Sequence, residues 1–248
     1  MRADRSARAV GRWFPTMRIA QVAPLYEAVP PRLYGGTERI VAHLTDALVA
    51  RGHEVTLFAS GDSDTSARLV PCRTQAIRMD PSLLKSDLGC HLAMIHEVYR
   101  RRDEFDIVHF HVDMVHFPFF AGEAERTVTT LHGRLDLDDL PPAYARWADF
   151  PLVSISDDQR RPLPDANWVA TIPHGLEAES YRFTAAPQRP YLAFLGRISP
   201  EKRPEERTPI RGIRSARSAF CFLVDRRRTT CDLLCLWSLR SRGCCLLF

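Results

Sequence analysis

No stretch of the 248 residues approaches the ~20 consecutive apolar residues of a membrane-spanning helix. The Arg-bearing N-terminus also lacks the apolar core of a secretory signal. None of the 7 cysteines forms a C-x-x-C pair. An odd total without paired ligand spacing argues against both a disulfide framework and a zinc site, and reduced thiols in the cytoplasm are the expectation. A G-x-G-x-x-G turn is missing as well, which disfavours a nicotinamide cofactor. There is no internal repeat, and no glutamate occurs after Glu206.

What is present is an ordinary globular composition, with 45% hydrophobic and 26% charged residues, enough to bury a packed core. The net charge of +4 is unevenly placed. Nine arginines against four acids give residues 205–248 a charge of +5, and the first sixteen residues add +3, so residues 17–204 carry −4. Basic ends on a mildly acidic middle do not make the continuous basic face that nucleic acid requires, so no nucleic-acid partner is expected.

From Met17 onward, strand-like and helix-like segments alternate, which predicts parallel βαβ units. Strands are expected at 17–23, 54–59, 106–111, 127–131, 151–155, 168–172 and 191–195. Helices are expected at 37–50 and 88–101, with a shorter one at 143–148. Ile40, Val41, Leu44, Ala47 and Leu48 share one face of the first helix. Thr37 is placed to cap it, Glu38 suits its positive end, and Gly52 suits its exit. Residues 69–86 carry no clear period. Residues 1–16 read as a disordered extension, 17–176 as a Rossmann-like domain, 177–190 as a linker and 191–204 as the first strand and loop of a second domain. After Pro204 the periodicity stops, and 205–248 is expected to be an irregular, disordered tail.

Four stretches are placed to carry chemistry. Tyr34-Gly35-Gly36-Thr37 lies between the first strand and the first helix. Its glycines leave the backbone approachable, and the helix start offers unpaired N–H groups to an anion such as a diphosphate. Taken alone, the two glycines are explained slightly better by a plain turn and a capped helix. In Asp106-Ile107-Val108-His109-Phe110-His111-Val112-Asp113, strand alternation puts His109 and His111 on one face and the apolar residues on the other. These imidazoles are either binding groups or hydrogen-bonded structural ones. Together with Asp113 and His116 they form a third possibility, a metal site, although no further carboxylate set accompanies them.

The third stretch, Thr129-Thr130-Leu131-His132-Gly133, ends the next strand with a histidine placed to donate to a sugar hydroxyl or phosphate oxygen. Ser154 and Ser156 occupy a similar strand end, where serines bind ligand or cap turns. The fourth, Phe194-Leu195-Gly196-Arg197-Ile198-Ser199-Pro200-Glu201-Lys202, leads a strand into a loop with two cations that suit a diphosphate leaving group.

In this order and spacing the four stretches resemble the family 4 retaining glycosyltransferases of GT-B fold, most closely a bacterial group with a run like Pro31-Arg32-Leu33-Tyr34-Gly35-Gly36-Thr37-Glu38-Arg39. The resemblance covers residues 17–204. It implies two facing Rossmann-like domains and transfer of a sugar from a nucleotide diphosphate sugar to an acceptor, without metal or other cofactor. By position it implies that Gly35 and Gly36 approach the donor diphosphate, that Arg197 and Lys202 bind its phosphates, and that His132 is the catalytic-site histidine beside the donor sugar. His109 and His111, with Ser154 and Ser156, would line the acceptor or sugar side. The family's second domain should continue to an E-x-x-G-type motif, which the glutamate-free stretch after Glu206 does not contain. A reading-frame shift near codon 205 is the expected cause, and the chain by itself is expected not to transfer sugar. Two other readings compete with this one: a metal-dependent hydrolase built on His109, His111, Asp113 and His116, and a non-catalytic carbohydrate- or protein-binding module.

Overall fold

The computed structural model describes residues 15–175 and the strands at 191–197 and 217–223. The chain divides into two compact units, Met1–Leu176 and Glu177–Phe248. The predicted extension, the linker, Lys202 and most of the tail lie outside the described residues.

The first unit is built on seven strands, β1 (Arg18–Val22), β2 (Glu54–Ser60), β3 (Arg68–Arg73), β4 (Ile107–Phe110), β5 (Thr127–Thr130), β6 (Leu152–Ser154) and β7 (Trp168–Thr171). All neighbours pair in parallel, in the order β3-β2-β1-β4-β5-β6-β7. This is the Rossmann-like sheet with flanking helices that the alternation predicts. Central strands of such a sheet are covered on both faces and therefore read as near-continuous apolar runs. In β1 every residue after Arg18 is buried, and in β2 every residue after Glu54.

Helix α1 (Gly36–Ala50) packs Val41, Ala42 and Thr45 inward. It leaves through Gly52, whose φ of 85° lies in the left-handed region that glycine tolerates. The predicted cap is corrected: Gly35 precedes the helix, Thr37 lies inside its first turn, and no side chain caps it. Helix α2 (Asp87–Arg100) begins at Ser86, whose Oγ accepts from the Gly89 N–H at 3.0 Å. Its buried stripe is His91, Met94, Ile95 and Val98. Three short helices follow, α3 (Phe117–Phe120), α4 (Leu140–Ala145) and α5 (Asp157–Arg160). Phe110, Phe117, Phe120 and Phe150 form the centre of the main core with Leu131 and Leu152.

The second unit contains two parallel strands, β8 (Tyr191–Arg197) and β9 (Arg217–Leu223), in register from Tyr191 opposite Arg217 to Arg197 opposite Leu223. The tail thus contains one strand where the sequence shows no sustained period. Ser218-Ala219-Phe220-Cys221-Phe222-Leu223 is an unalternating run, the pattern of a parallel strand rather than of a half-buried one. No helix among the described residues is long and apolar enough to cross a membrane.

Candidate functional site

Strand order reverses between β1 and β4, since β2 and β3 continue to one side of β1 and β4 to β7 to the other. In open parallel sheets a crevice forms at such a reversal, outside the carboxyl ends of the strands. Gln21 of β1, His109 of β4, His111 just after it, Thr130 of β5 and His132 after that strand all lie along this edge. Val108 and Phe110, on the other face of β4, enter the main core, as alternation requires. The rings of His109 and His111 then lie against each other, tilted by 32° with centroids 4.2 Å apart.

A continuous chain of hydrogen bonds joins these side chains. Thr130 Oγ1 lies 2.8 Å from His109 Nε2, and His109 Nδ1 lies 3.3 Å from Gln21 Nε2. Gln21 Oε1 is 2.8 Å from His111 Nε2. His111 Nδ1 is 2.9 Å from His132 Nε2, and His132 Nδ1 is 2.9 Å from His174 Nε2. Both ring nitrogens of His132 are therefore engaged within the protein. The exposed end of the chain is His174, in the segment after β7. His174 and Gln21 are the members that sequence reasoning misses.

These imidazoles sit in a cost-laden place for charge. Burial lowers His109 to about 4. Burial first, then the neighbouring histidines, hold His111 well below its ordinary range. Burial and then His174 and His109 lower His132 to about 3, and burial lowers His174 too. The chain is thus a row of neutral rings near pH 7. Neutral imidazoles exchange hydrogen bonds with hydroxyls and offer no net charge to a phosphate.

The anion-suited feature lies where β1 leads into α1. Gly35 is buried, and a Cβ there would meet Glu38 Oε2 at 2.7 Å and Pro31 Cβ at 2.9 Å. Gly36 is exposed, and a Cβ there would meet nothing within 4 Å. The two glycines therefore differ: the first is required by the protein's own packing, and the second borders open space at a helix start with no side-chain cap. Glu27 and Glu38, both buried, brace the turn from behind. Burial raises the carboxyl of each above the usual range. Arg78 reaches Glu27 Oε1 at 3.4 Å and the Tyr34 carbonyl at 3.0 Å.

The loop carrying His132 is fixed by Gln159 of α5. Its Nε2 donates to the Leu131 carbonyl at 2.9 Å and the Gly133 carbonyl at 2.7 Å, while its Oε1 accepts from the Ile155 N–H at 2.9 Å. Ser156 Oγ accepts from the Gln159 N–H at 3.1 Å and starts α5. Ser154 is fully buried, with its Oγ 2.8 Å from Thr171 Oγ1. Ser156 thus caps a helix and Ser154 ties two strands together, the fold-serving role that the sequence leaves open beside ligand binding. Arg134 and Asp136, beyond His132, form a two-pronged pair of 2.6 and 2.8 Å. Arg197 ends β8 in the second unit.

The residues of the hydrolase reading do not converge. His116 is fully buried and stacks on Phe110, 3.6 Å between centroids, with Nε2 3.1 Å from Thr129 Oγ1. It therefore belongs to the core, on the face of β4 away from His109 and His111. Asp113 is exposed, in a left-handed turn with φ 50°. Among the described residues no three His, Cys, Asp or Glu side chains gather to hold a metal ion.

Comparison with known proteins sharpens this picture. A family model described as Glycosyltransferase Family 4 matches residues 34–198, more than half of the chain. No curated protein sequence matches. Among solved structures, the chain is similar to the sucrose-phosphate synthase of Thermosynechococcus elongatus, with 14% identity and a TM-score of 0.60 over 86% of this chain and 64% of that one. It is also similar to AviGT4, a glycosyltransferase involved in avilamycin A biosynthesis, at 26% identity and TM-score 0.48 over 74% of this chain and 50% of that one. A third similar structure is the MurG of Acinetobacter baumannii, at 14% identity and TM-score 0.44 over 73% and 53%. The first of these likenesses establishes a shared fold. The chain spans between half and two thirds of the length of each of these proteins.

Proposed function

The chain belongs to glycosyltransferase family 4, and on that premise we propose that the carboxyl edge of its large sheet is one wall of a site that moves a sugar from a nucleotide diphosphate sugar to a hydroxyl-bearing acceptor, in the cytoplasm. The observation that carries this reading is the pairing of two unlike features on one sheet edge. One is an uncapped helix start bordered by open space at Gly36. The other is a row of neutral imidazoles ending in His132 and His174.

The division of labour follows from charge. N–H groups of the first turn of α1 are oriented for the diphosphate, whose negative charge grows as the glycosidic bond breaks. The neutral rings suit the sugar and acceptor hydroxyls, because they form hydrogen bonds without attracting a competing anion. Arg197 and Lys202 are assigned to the phosphates on the strength of the family resemblance alone. The stretch after Glu206 has no glutamate with which to grip the sugar. We therefore expect the 248 residues alone to bind nucleotide diphosphates weakly and to give no transfer above background.

The test is a titration of the chain with uridine, guanosine and adenosine diphosphate sugars, followed by backbone amide NMR. Shifts gathered at Gly35, Gly36 and Gly133 are expected with at least one of them. Uniformly unmoved amides at millimolar ligand, or a plain sugar that binds equally well with and without its nucleotide, would overturn the donor reading and favour a carbohydrate-binding module.

A further inference from the structure

The Gln21 amide is fully buried between two histidines and presents a different atom to each. Its Nε2 can only donate, so His109 Nδ1 must accept, and the proton of His109 sits on Nε2, facing Thr130 Oγ1. Its Oε1 can only accept, so His111 carries its proton on Nε2 and must accept at Nδ1. His132 then donates from Nε2 to His111 and accepts at Nδ1 from His174 Nε2. Every ring holds one proton and every contact has one donor. Only His174 Nδ1, at the exposed end, is left with a lone pair and no partner among the described residues.

We propose that Gln21 is a positioning residue that sets the direction of this hydrogen-bond chain, and that His174 is a binding residue whose Nδ1 accepts a hydrogen bond from a neutral sugar hydroxyl. The proposal deepens the transfer reading above by naming what faces the sugar, but its first half concerns the ligand-free chain and stands without it. His132 is the wrong end for that contact while His174 is in place, because both of its nitrogens are bound. A phosphate without a proton cannot donate to His174 Nδ1, so the chain's direction separates hydroxyl from anion. Burial and mutual repulsion among the rings, which keep them neutral, preserve that direction near pH 7. Reversing the Gln21 amide would turn every ring to its other tautomer, and His174 would then present an N–H suited to phosphate.

The test uses the full 248-residue chain with ring-15N histidine, in which long-range proton–nitrogen NMR reads the protonated nitrogen of each imidazole. His109, His111, His132 and His174 should all carry the proton on Nε2. Protons on Nδ1 of His111, His132 and His174 would overturn the assignment. In Gln21→Met the direction is no longer imposed, so His174, separated from position 21 by two other rings, should become a mixture of tautomers. A merely structural Gln21 would leave the His174 signal unmoved, and that result would sink its positioning role. If Gln21→Met does not fold, Gln21→Glu is read instead: a carboxylate accepts on both sides, so His109 alone should move its proton to Nδ1.

Three ligands then separate the sources of the hydroxyl. Methyl α-glucoside reports a free sugar, uridine diphosphate glucose a donor sugar, and inorganic pyrophosphate the phosphates alone. A shift of His174 Nδ1 with either sugar and none with pyrophosphate supports the proposal. A shift with pyrophosphate, or none with any of the three, overturns the binding role. A response to methyl α-glucoside without one to the nucleotide sugar would defeat the donor reading and leave this inference standing.

Discussion

At the amino-terminal edge of the large sheet Arg18 pairs with Asp106 at 2.7 Å and Arg126 with Glu123 at 3.0 Å, in contact with solvent. At the carboxyl-terminal edge Gln21 joins His109 to His111, His111 binds His132 directly, and the three rings are withdrawn from solvent. Both edges belong to the same strands, so composition alone does not separate them. The difference lies in what each polar group would lose. An exposed pair trades one hydrated state for another and is screened by salt. A buried neutral network loses its partners outright when one member is removed. The amino edge therefore tolerates change, and the carboxyl edge is a single connected object.

The deepest break is expected at the centre of that object. His111→Ala leaves Gln21 Oε1 and His132 Nε2 without partners and opens a cavity. It should lower unfolding free energy by about 2–5 kcal/mol in a urea titration; a loss indistinguishable from zero would mean that the row is not a network.

Acid should separate the edges next. The histidines are lowered in the folded state, so the unfolded chain binds more protons once the pH falls below about 6.5, and stability present above that value is lost on the way down. The loss should continue to about 4 for His109 and about 3 for His132, at about 1.4 kcal/mol per ring and pH unit. Glu104 and Asp106 are lowered by Arg101 and Arg18 respectively. Their contribution is present above the ordinary carboxylate range and is lost only as the pH falls through and below it. Urea midpoints measured between about pH 7 and 5 should therefore fall in the wild type and fall less steeply in His111→Phe. Equal slopes would place the acid response elsewhere.

The paired glycines give a smaller and more local contrast. Gly35→Ala forces a methyl group against Glu38 and Pro31 and should cost about 1–3 kcal/mol. Gly36→Ala meets open space and should leave stability unchanged or raised by up to about 0.5 kcal/mol, while weakening any nucleotide contact there. The smallest effect is reserved for the amino edge: Arg18→Ala should leave the urea midpoint within error in concentrated salt. A clear drop there would show that this edge, too, is more than a solvated face.

Most of the fold is legible because the central strands and the two long helices state their periods plainly. β3 is not, since Arg68-Leu69-Val70-Pro71-Cys72-Arg73 is an edge strand with a proline and only half-buried side chains, so neither alternation nor a continuous apolar run appears. The start of α1 is misread at Thr37 because cap preference is local, whereas the turn is decided by Glu27, Glu38 and Pro31 closing on Gly35. At the candidate site His109, His111 and His132 are recognisable from strand ends. Gln21 carries a signal of its own, one polar residue inside the apolar Ile19-Ala20-Gln21-Val22 run, but its partners arrive from distant segments. His174 repeats the pattern of a histidine before a glycine beyond a strand, as in His132-Gly133 and His174-Gly175. That echo is visible only to a reader who already suspects the first pair.

Gln159 links two neighbouring parts of this edge through one side chain, touching the backbone on both sides of His132 and the segment that follows β6. A single fastener shared by two loops makes them one mechanical unit. A substitution that moves one must be accommodated by the other, so the two loops shift together around α5 rather than each on its own.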